Sequence, residues 1–239
     1  SEGKLKETDY DGKSEVSYDT VNGGGIKLGF LNKVLFALRY RDYNFLVSSN
    51  ITSNSKILLN RQVVERARKA VPFLRIDNDP YILLTDDGKL KWVLDGYTTT
   101  NLFPYSQSSS GFNYIRNSVK IIIDAYTGAT DYYIIDNNDP IIKVYDKMYP
   151  GIFKSTDKLP EFIKQHMKYP EYLFMLQTEV LKKYHIVPDS DQNITNFYGG
   201  QDLWKLASIP DKGSGEEILE PYYNMIKLPG KFGKNEELI

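Results

Sequence analysis

The sequence predicts an α+β fold: an antiparallel meander sheet with helices before and after the strands. Three observations carry that expectation. Apolar residues recur at helical spacing before residue 72 and again after residue 139. Between those regions lie closely spaced runs rich in β-branched and aromatic side chains. A meandering antiparallel sheet explains such closely spaced runs better than crossover connections do, because a crossover needs about a dozen residues or more.

Each element has its own warrant. Asn22-Gly23-Gly24-Gly25 is turn and linker chemistry. Leu28, Leu31, Val34, Leu35 and Leu38 then form one stripe at spacings of three and four, which predicts an amphipathic helix over 27–40. A second helix is expected from Asn60 to about Ala70, with Val63, Val64, Ala67 and Val71 inward, Arg61, Arg66, Arg68 and Lys69 outward, and Pro72 as its stop. Tyr81–Thr85 and Leu90–Leu94 flank the turn residues Asp86-Asp87-Gly88-Lys89 and read as a hairpin. Val119–Ile123 and Tyr132–Ile135 make a stronger one, with Thr127-Gly128 in the link. Asp139-Pro140 is an N-cap followed by a proline at the first helical position. It predicts a helix whose face is Ile141, Val144, Tyr145 and Met148, ended by Pro150-Gly151. Further helices are expected over 158–168 and from Pro170 to about His185. A polar loop is expected at 188–200, one or two helical turns at Gln201–Ala207, a loop at 211–217 and a strand at Tyr222–Leu228. In domain terms, residues 1–25 read as a flexible segment and 26–239 as a single α+β domain, with 139–210 a candidate helical subdomain.

Composition narrows the function classes. The 239 residues are 41% hydrophobic and 26% charged, enough apolar material for a real core. No apolar run approaches the roughly 18–20 residues needed to cross a bilayer. With 30 basic and 31 acidic side chains the net charge is −1, which argues against a nucleic-acid partner. The absence of cysteine removes disulfides, thiolate metal sites and thiol nucleophiles. The chain opens at Ser1-Glu2-Gly3 without an initiator Met and stops at Glu237-Leu238-Ile239, so a piece of a longer protein is the expectation.

Specific chemistry is sparse. His166 and His185 are the whole histidine inventory and lack metal-ligand spacing. Asp189-Ser190-Asp191-Gln192-Asn193 imitates the start of a calcium loop, but Ile194 stands where glycine is needed and Gly200 where a bidentate Glu is needed. Gly24-Gly25-Ile26-Lys27-Leu28-Gly29 matches neither phosphate-binding glycine motif. No serine lies in a G-x-S-x-G elbow. No metal and no cofactor are expected. The distinctive feature is aromatic: 19 tyrosines, with a concentration across 92–116 among polar neighbours. Amphipathic rings of this kind suit contact with carbohydrate, peptide or protein, as well as packing over a sheet edge. The candidate ligand-binding residues are therefore Trp92, Asp95, Tyr97, Tyr105, Tyr114 and Arg116.

A series of segments, in order, carries a family resemblance. They are Phe36-Ala37-Leu38-Arg39, Tyr97-Thr98-Thr99, Pro104-Tyr105-Ser106, Asn113-Tyr114-Ile115-Arg116-Asn117-Ser118-Val119-Lys120, Asp124-Ala125-Tyr126-Thr127-Gly128, Asp139-Pro140-Ile141, Tyr149-Pro150-Gly151, Tyr169-Pro170-Glu171 and Leu228-Pro229-Gly230. The run from Asn113 to Lys120 is the most specific. Over about residues 21 to 230 the chain resembles the large extracytoplasmic region of Uncharacterised Protein Family 0182, a group of bacterial integral membrane proteins. The resemblance implies an extracytoplasmic location at the cell membrane and a neighbour in the remainder of the same protein. It supplies no catalytic residues.

Three functions remain to be distinguished. The leading one is a non-enzymatic module that binds envelope glycan or protein, or another part of its own polypeptide. The second is an envelope hydrolase with paired carboxylates, for which Asp95, Asp124 and Arg116 are the residues to test. The third is a purely architectural domain, which would expose a large apolar patch toward its missing neighbour.

Overall fold

The computed structural model describes residues 24–52, 55–182, 184–186, 191–210, 215–226 and 237–238. The expected N-terminal segment therefore lies, except for Gly24 and Gly25, outside the described residues, as do Asp189 and Ser190 of the calcium-like stretch. The chain divides into two compact units, Ser1–Pro160 and Glu161–Ile239.

The first unit is built on one sheet. β1 (Ile26–Lys27) pairs antiparallel with β2 (Lys56–Ile57), and between them run α1 (Phe30–Tyr40) and α2 (Asn44–Val47). α3 (Val63–Ala70) follows, started by the Gln62 side chain, which accepts from the Glu65 amide. Six strands then make the sheet: β3 (Arg75–Ile76), β4 (Tyr81–Leu84), β5 (Leu90–Thr100), β6 (Tyr114–Asp124), β7 (Thr130–Ile134) and β8 (Phe153–Ser155). β4, β5, β6 and β7 form the antiparallel meander. β3 joins the far half of β5, and β8 adds to β7 in parallel after α4 (Pro140–Met148). Gly88 at φ +75° supplies the left-handed residue in the β4–β5 turn.

One sheet face is aliphatic. Leu94, Val119, Ile121, Ile123, Tyr132 and Ile134 pack with Val64, Ala67 and Val71 of α3, Ile142 of α4 and Phe153 of β8. Helical period explains α3 as read from sequence, but the helix starts at Val63 rather than at Asn60, which sits at φ +51°, and one side chain is placed differently. Arg66 is half-buried rather than fully outward: its guanidinium donates to the Leu59 carbonyl (3.3 Å) and lies against Gly128. In α4 the predicted cap holds, since the Asp139 side chain accepts from the Ile141 amide (3.0 Å) and Pro140 occupies the first turn. Its inward residue is Ile142, however, while Val144 and Met148 are exposed. Phe73 sets that rotation by holding the rings of Tyr145 and Tyr149 at 4.6 Å each.

α1 departs further from expectation. It starts at Phe30 rather than at residue 27, and its buried side chains are Phe36 and Ala37; of the expected stripe only Leu28, which precedes the helix, is fully buried. Phe36, Tyr40 and Phe45 form an aromatic cluster with centroids 6.0–6.4 Å apart, which rolls the helix so that Leu31, Leu35 and Leu38 face solvent.

The second unit contains α5 (Glu161–Gln165), α6 (Glu171–Leu181), α7 (Asp191–Gly199) and two small antiparallel pairs. The pairs join β9 (Ser208–Pro210) to β10 (Glu216–Ile218), and β11 (Met225–Ile226) to β12 (Glu237–Leu238). The expected helix over 158–168 is shorter, because residues 156–158 take a 3-10 turn before Pro160. The expected polar loop at 188–200 is instead largely helical in α7: Ile194, Phe197 and Tyr198 have helical spacing, and Phe197 meets Tyr184 edge-on at 6.0 Å. Gln201–Ala207 is not helical, and Asp202 sits at φ +57°.

Replacing the fully buried Ile121 by alanine is expected to cost about 2–5 kcal/mol. Replacing the exposed Leu31 by alanine should change stability by no more than about 0.5 kcal/mol. Urea unfolding of the two variants checks both numbers, and comparable losses would refute the burial pattern.

Candidate functional site

The candidate region is the β5–β6 ladder and the loop that joins its strands. Its geometry turns on one irregularity. Gly96 pairs with Val119 and Tyr97 with Asn117, so Ser118 is an extra residue in β6. In a regular strand, residues three apart point to opposite faces. The bulge resets that alternation, and Asn117 and Lys120 both reach Asp95. The Lys120 ammonium donates to Asp95 Oδ1 at 2.5 Å and the Asn117 amide nitrogen to the same oxygen at 2.8 Å. Asp95 and Lys120 are 3% and 1% exposed, so this is a buried ion pair. Lys120 also lies 5.8 Å from the centroid of the Tyr81 ring. Burial pushes the Asp95 carboxyl above the ordinary carboxylate value, against the opposing pull of Lys120 and Asn117. Beside it, the Tyr97 hydroxyl donates to Asp77 Oδ2, and the Asp77 amide donates to the Asp95 carbonyl at 2.9 Å.

The bulged Ser118 turns the other way. With Thr98 it donates to Asp139 Oδ2, both at 2.5 Å, while Tyr114 OH (2.8 Å) and the Ile141 amide (3.0 Å) donate to Oδ1. Burial alone would raise Asp139, but these four donors outweigh it and hold the carboxyl below its usual range. Burial likewise pushes the Tyr114 phenol up to about 12, helped by Asp139. Asp139 thus caps α4 and ties it to both long strands.

The six candidate residues do not converge. Trp92 packs against the aliphatic core, and Asp95 and Tyr97 are buried on the opposite sheet face. Tyr114 is held by Asp139, and Arg116 pairs with Asp136 at 3.0 Å. Tyr105 alone stands wholly in solvent. The hydrolase candidates are dispersed as well. Asp124 pairs with Lys91 at 2.6 Å, Asp95 with Lys120, and Arg116 with Asp136. At about 3.3 Å per residue, Asp124 lies about 13 Å along β6 from Lys120 and about 25 Å from Arg116. A glycosidase dyad needs its carboxyls within about 5–9.5 Å. Among the described residues, no group of three or more His, Asp or Glu side chains is gathered to hold a metal ion.

The loop between β5 and β6 is clamped. The Asn113 side chain accepts from the Phe103 amide (3.0 Å) and donates to the carbonyls of Phe103 (2.7 Å) and Ser106 (3.2 Å). Phe103 stacks on Tyr114 at 5.1 Å. The clamp leaves Leu102 85% exposed and Tyr105 fully so, the latter at φ +58°. From Gly96 to Ile115 there is no charged side chain. Sequence reading found the aromatics but not the Asp139 and Asn113 clamps. Gly96 inside a strand was the one local signal that pointed to the bulge.

Asp124 supplies a pH test. Burial would raise it, yet Lys91 and the Thr127 amide and hydroxyl outweigh that and lower it to about 2. A carboxylate depressed on folding adds stability that is full above the unfolded value and fades as pH falls through the folded one. Acid titration by circular dichroism should show that the Asp124→Asn variant is less stable than the parent at pH 7. The difference should close between about pH 4 and pH 2. A second test uses the buried pair. Asp95→Asn or Lys120→Met alone is expected to cost about 3–5 kcal/mol, while Asp95→Leu with Lys120→Met recovers most of it. Denaturant unfolding reads this, and additive losses would contradict it.

The comparisons with known proteins agree with one another. The model of an uncharacterised protein family, UPF0182, matches residues 1–239. A UPF0182 protein of Caldicellulosiruptor saccharolyticus is 46% identical over 238 residues, covering 99% of this chain and 25% of that protein. One from Clostridium acetobutylicum is 47% identical over 229 residues, covering 95% and 24% respectively. The chain therefore spans about a quarter of the length of the curated relatives it matches. No solved structure matches it.

Proposed function

The chain belongs to the uncharacterised protein family UPF0182, and from that premise we propose that it is a non-enzymatic binding module of a bacterial membrane protein, held on the extracytoplasmic side. One observation carries the reading: the charged residues of the long strands are engaged in ion pairs, Lys91 with Asp124, Asp95 with Lys120 and Arg116 with Asp136, while the β5–β6 loop holds Leu102 and Tyr105 out in solvent. A rigid aromatic on a clamped backbone loses little conformational freedom on binding, and hydroxyl and amide neighbours supply adaptable hydrogen bonds. Thr99, Thr100, Asn101, Gln107 and Ser108 to Ser110 provide those groups here. Their neutrality suits an uncharged envelope glycan or an uncharged protein surface. Exposed apolar side chains elsewhere, such as Tyr198 and Trp204, support further packing against the rest of the longer polypeptide.

A glycan array and a pull-down from envelope extract test this. Retention should fall at least about tenfold in Tyr105→Ala and in Leu102→Ser, with melting temperature unchanged, as expected when an interface anchor is truncated. Trp92→Ala is the contrasting control: it packs in the core and should lower the melting temperature. No retention of the parent chain in either assay would refute the reading.

A further inference from the structure

α1 turns its more apolar face away from the body of the protein. Phe30 is 83% exposed, Leu31 69%, Leu35 54% and Leu38 72%, and their spacing puts them on one side of the helix. The opposite side is occupied: Phe36 and Ala37 are buried, and the Lys33 ammonium donates to the Ile51 carbonyl at 2.6 Å. The aromatic cluster of Phe36, Tyr40 and Phe45 keeps the helix from rolling the leucines inward.

Charge says what meets this face. From Val21 to Arg41 there is no acidic residue, in a chain whose net charge is −1, while Lys27, Lys33, Arg39 and Arg41 are all basic. Lys27, Arg39 and Arg41 are exposed and bracket the apolar side chains at both ends of the helix. The first acid, Asp42, accepts from the Asn44 amide at 2.9 Å. An apolar stripe bordered by cations is the pattern of a helix that lies in the plane of a membrane interface, with leucines among the acyl chains and cations at the headgroups.

We propose that α1 docks on the surface of a bilayer containing anionic lipid, with Phe30, Leu31, Leu35 and Leu38 inserted and Lys27, Arg39 and Arg41 among the headgroups. This face lies on a different element from the β5–β6 loop and is independent of the reading given for it. A protein partner could cover the same leucines, but its affinity would not follow lipid charge.

Co-sedimentation of the whole chain with vesicles tests the proposal. Vesicles of phosphatidylcholine with about 30% phosphatidylglycerol should bind at least about tenfold more tightly than phosphatidylcholine alone. Raising salt to about 0.5 M should weaken binding by screening the cations. Leu31→Glu with Leu38→Glu should abolish it and leave the melting temperature unchanged, because both side chains are exposed. Tyr105→Ala should bind vesicles as the parent does. The proposal is overturned by equal binding to neutral and anionic vesicles, by retained binding of the double variant, or by no vesicle binding. If the chain proves to be a dimer that the double variant makes monomeric, with vesicles ignored, the face belongs to a second copy.

Discussion

The pairing of β5 with β6 is the constraint on which the first unit depends. Two strands of 11 residues run side by side, and both faces of the ladder are buried at their middle. One face is filled with aliphatic side chains. The other contains Asp95 and Lys120, which can be buried only together. Removing two ions from water costs several kcal/mol each, and their attraction roughly offsets that cost. The pair therefore adds little net stability, yet it fixes register. A one-residue slip would take Lys120 away from Asp95 and set it opposite Leu94 or Gly96, leaving a buried ammonium without its carboxylate.

The bulge at Ser118 extends this logic to both faces. It sends Asn117 and Lys120 to Asp95 on one side and Ser118, with Thr98, to Asp139 on the other. Asp139 starts α4, so the ladder also sets where that helix begins and where Ile142 enters the core. Each charged group that resembles a catalytic one in the sequence has a structural partner. The proposed functions rest instead on two surface features: a clamped, uncharged loop between β5 and β6 and a basic, apolar face of α1.

Local chemistry was legible in the sequence and three-dimensional context was not. Asp86-Asp87-Gly88, Thr127-Gly128 and Asp139-Pro140 announced two hairpins and a helix start because turn and cap preferences act within a few residues. The α+β class followed from the spacing of those signals. The partners of Asp95 could not be read, since Lys120 is 25 residues away and reaches it through a bulge. Helical period correctly found α1 but not which side is buried, because Phe45, outside the window, decides the roll. The helix at Asp191–Gly199 escaped because its Asp, Asn and Thr residues favour turns, and only Ile194, Phe197 and Tyr198 carry the helical spacing. Of the candidate contact residues, Tyr105 alone is a fully exposed ring, and nothing in the local sequence set it apart from the others, which are engaged in packing and pairing.

The buried pair is tested most directly by nuclear magnetic resonance of the Lys120 side chain at neutral pH. An ammonium sealed against Asp95 exchanges its protons slowly and gives an observable signal that Asp95→Asn alters or removes. That is the result the ladder predicts. Rapid proton exchange with water, as an exposed lysine shows, and indifference to Asp95→Asn would contradict it.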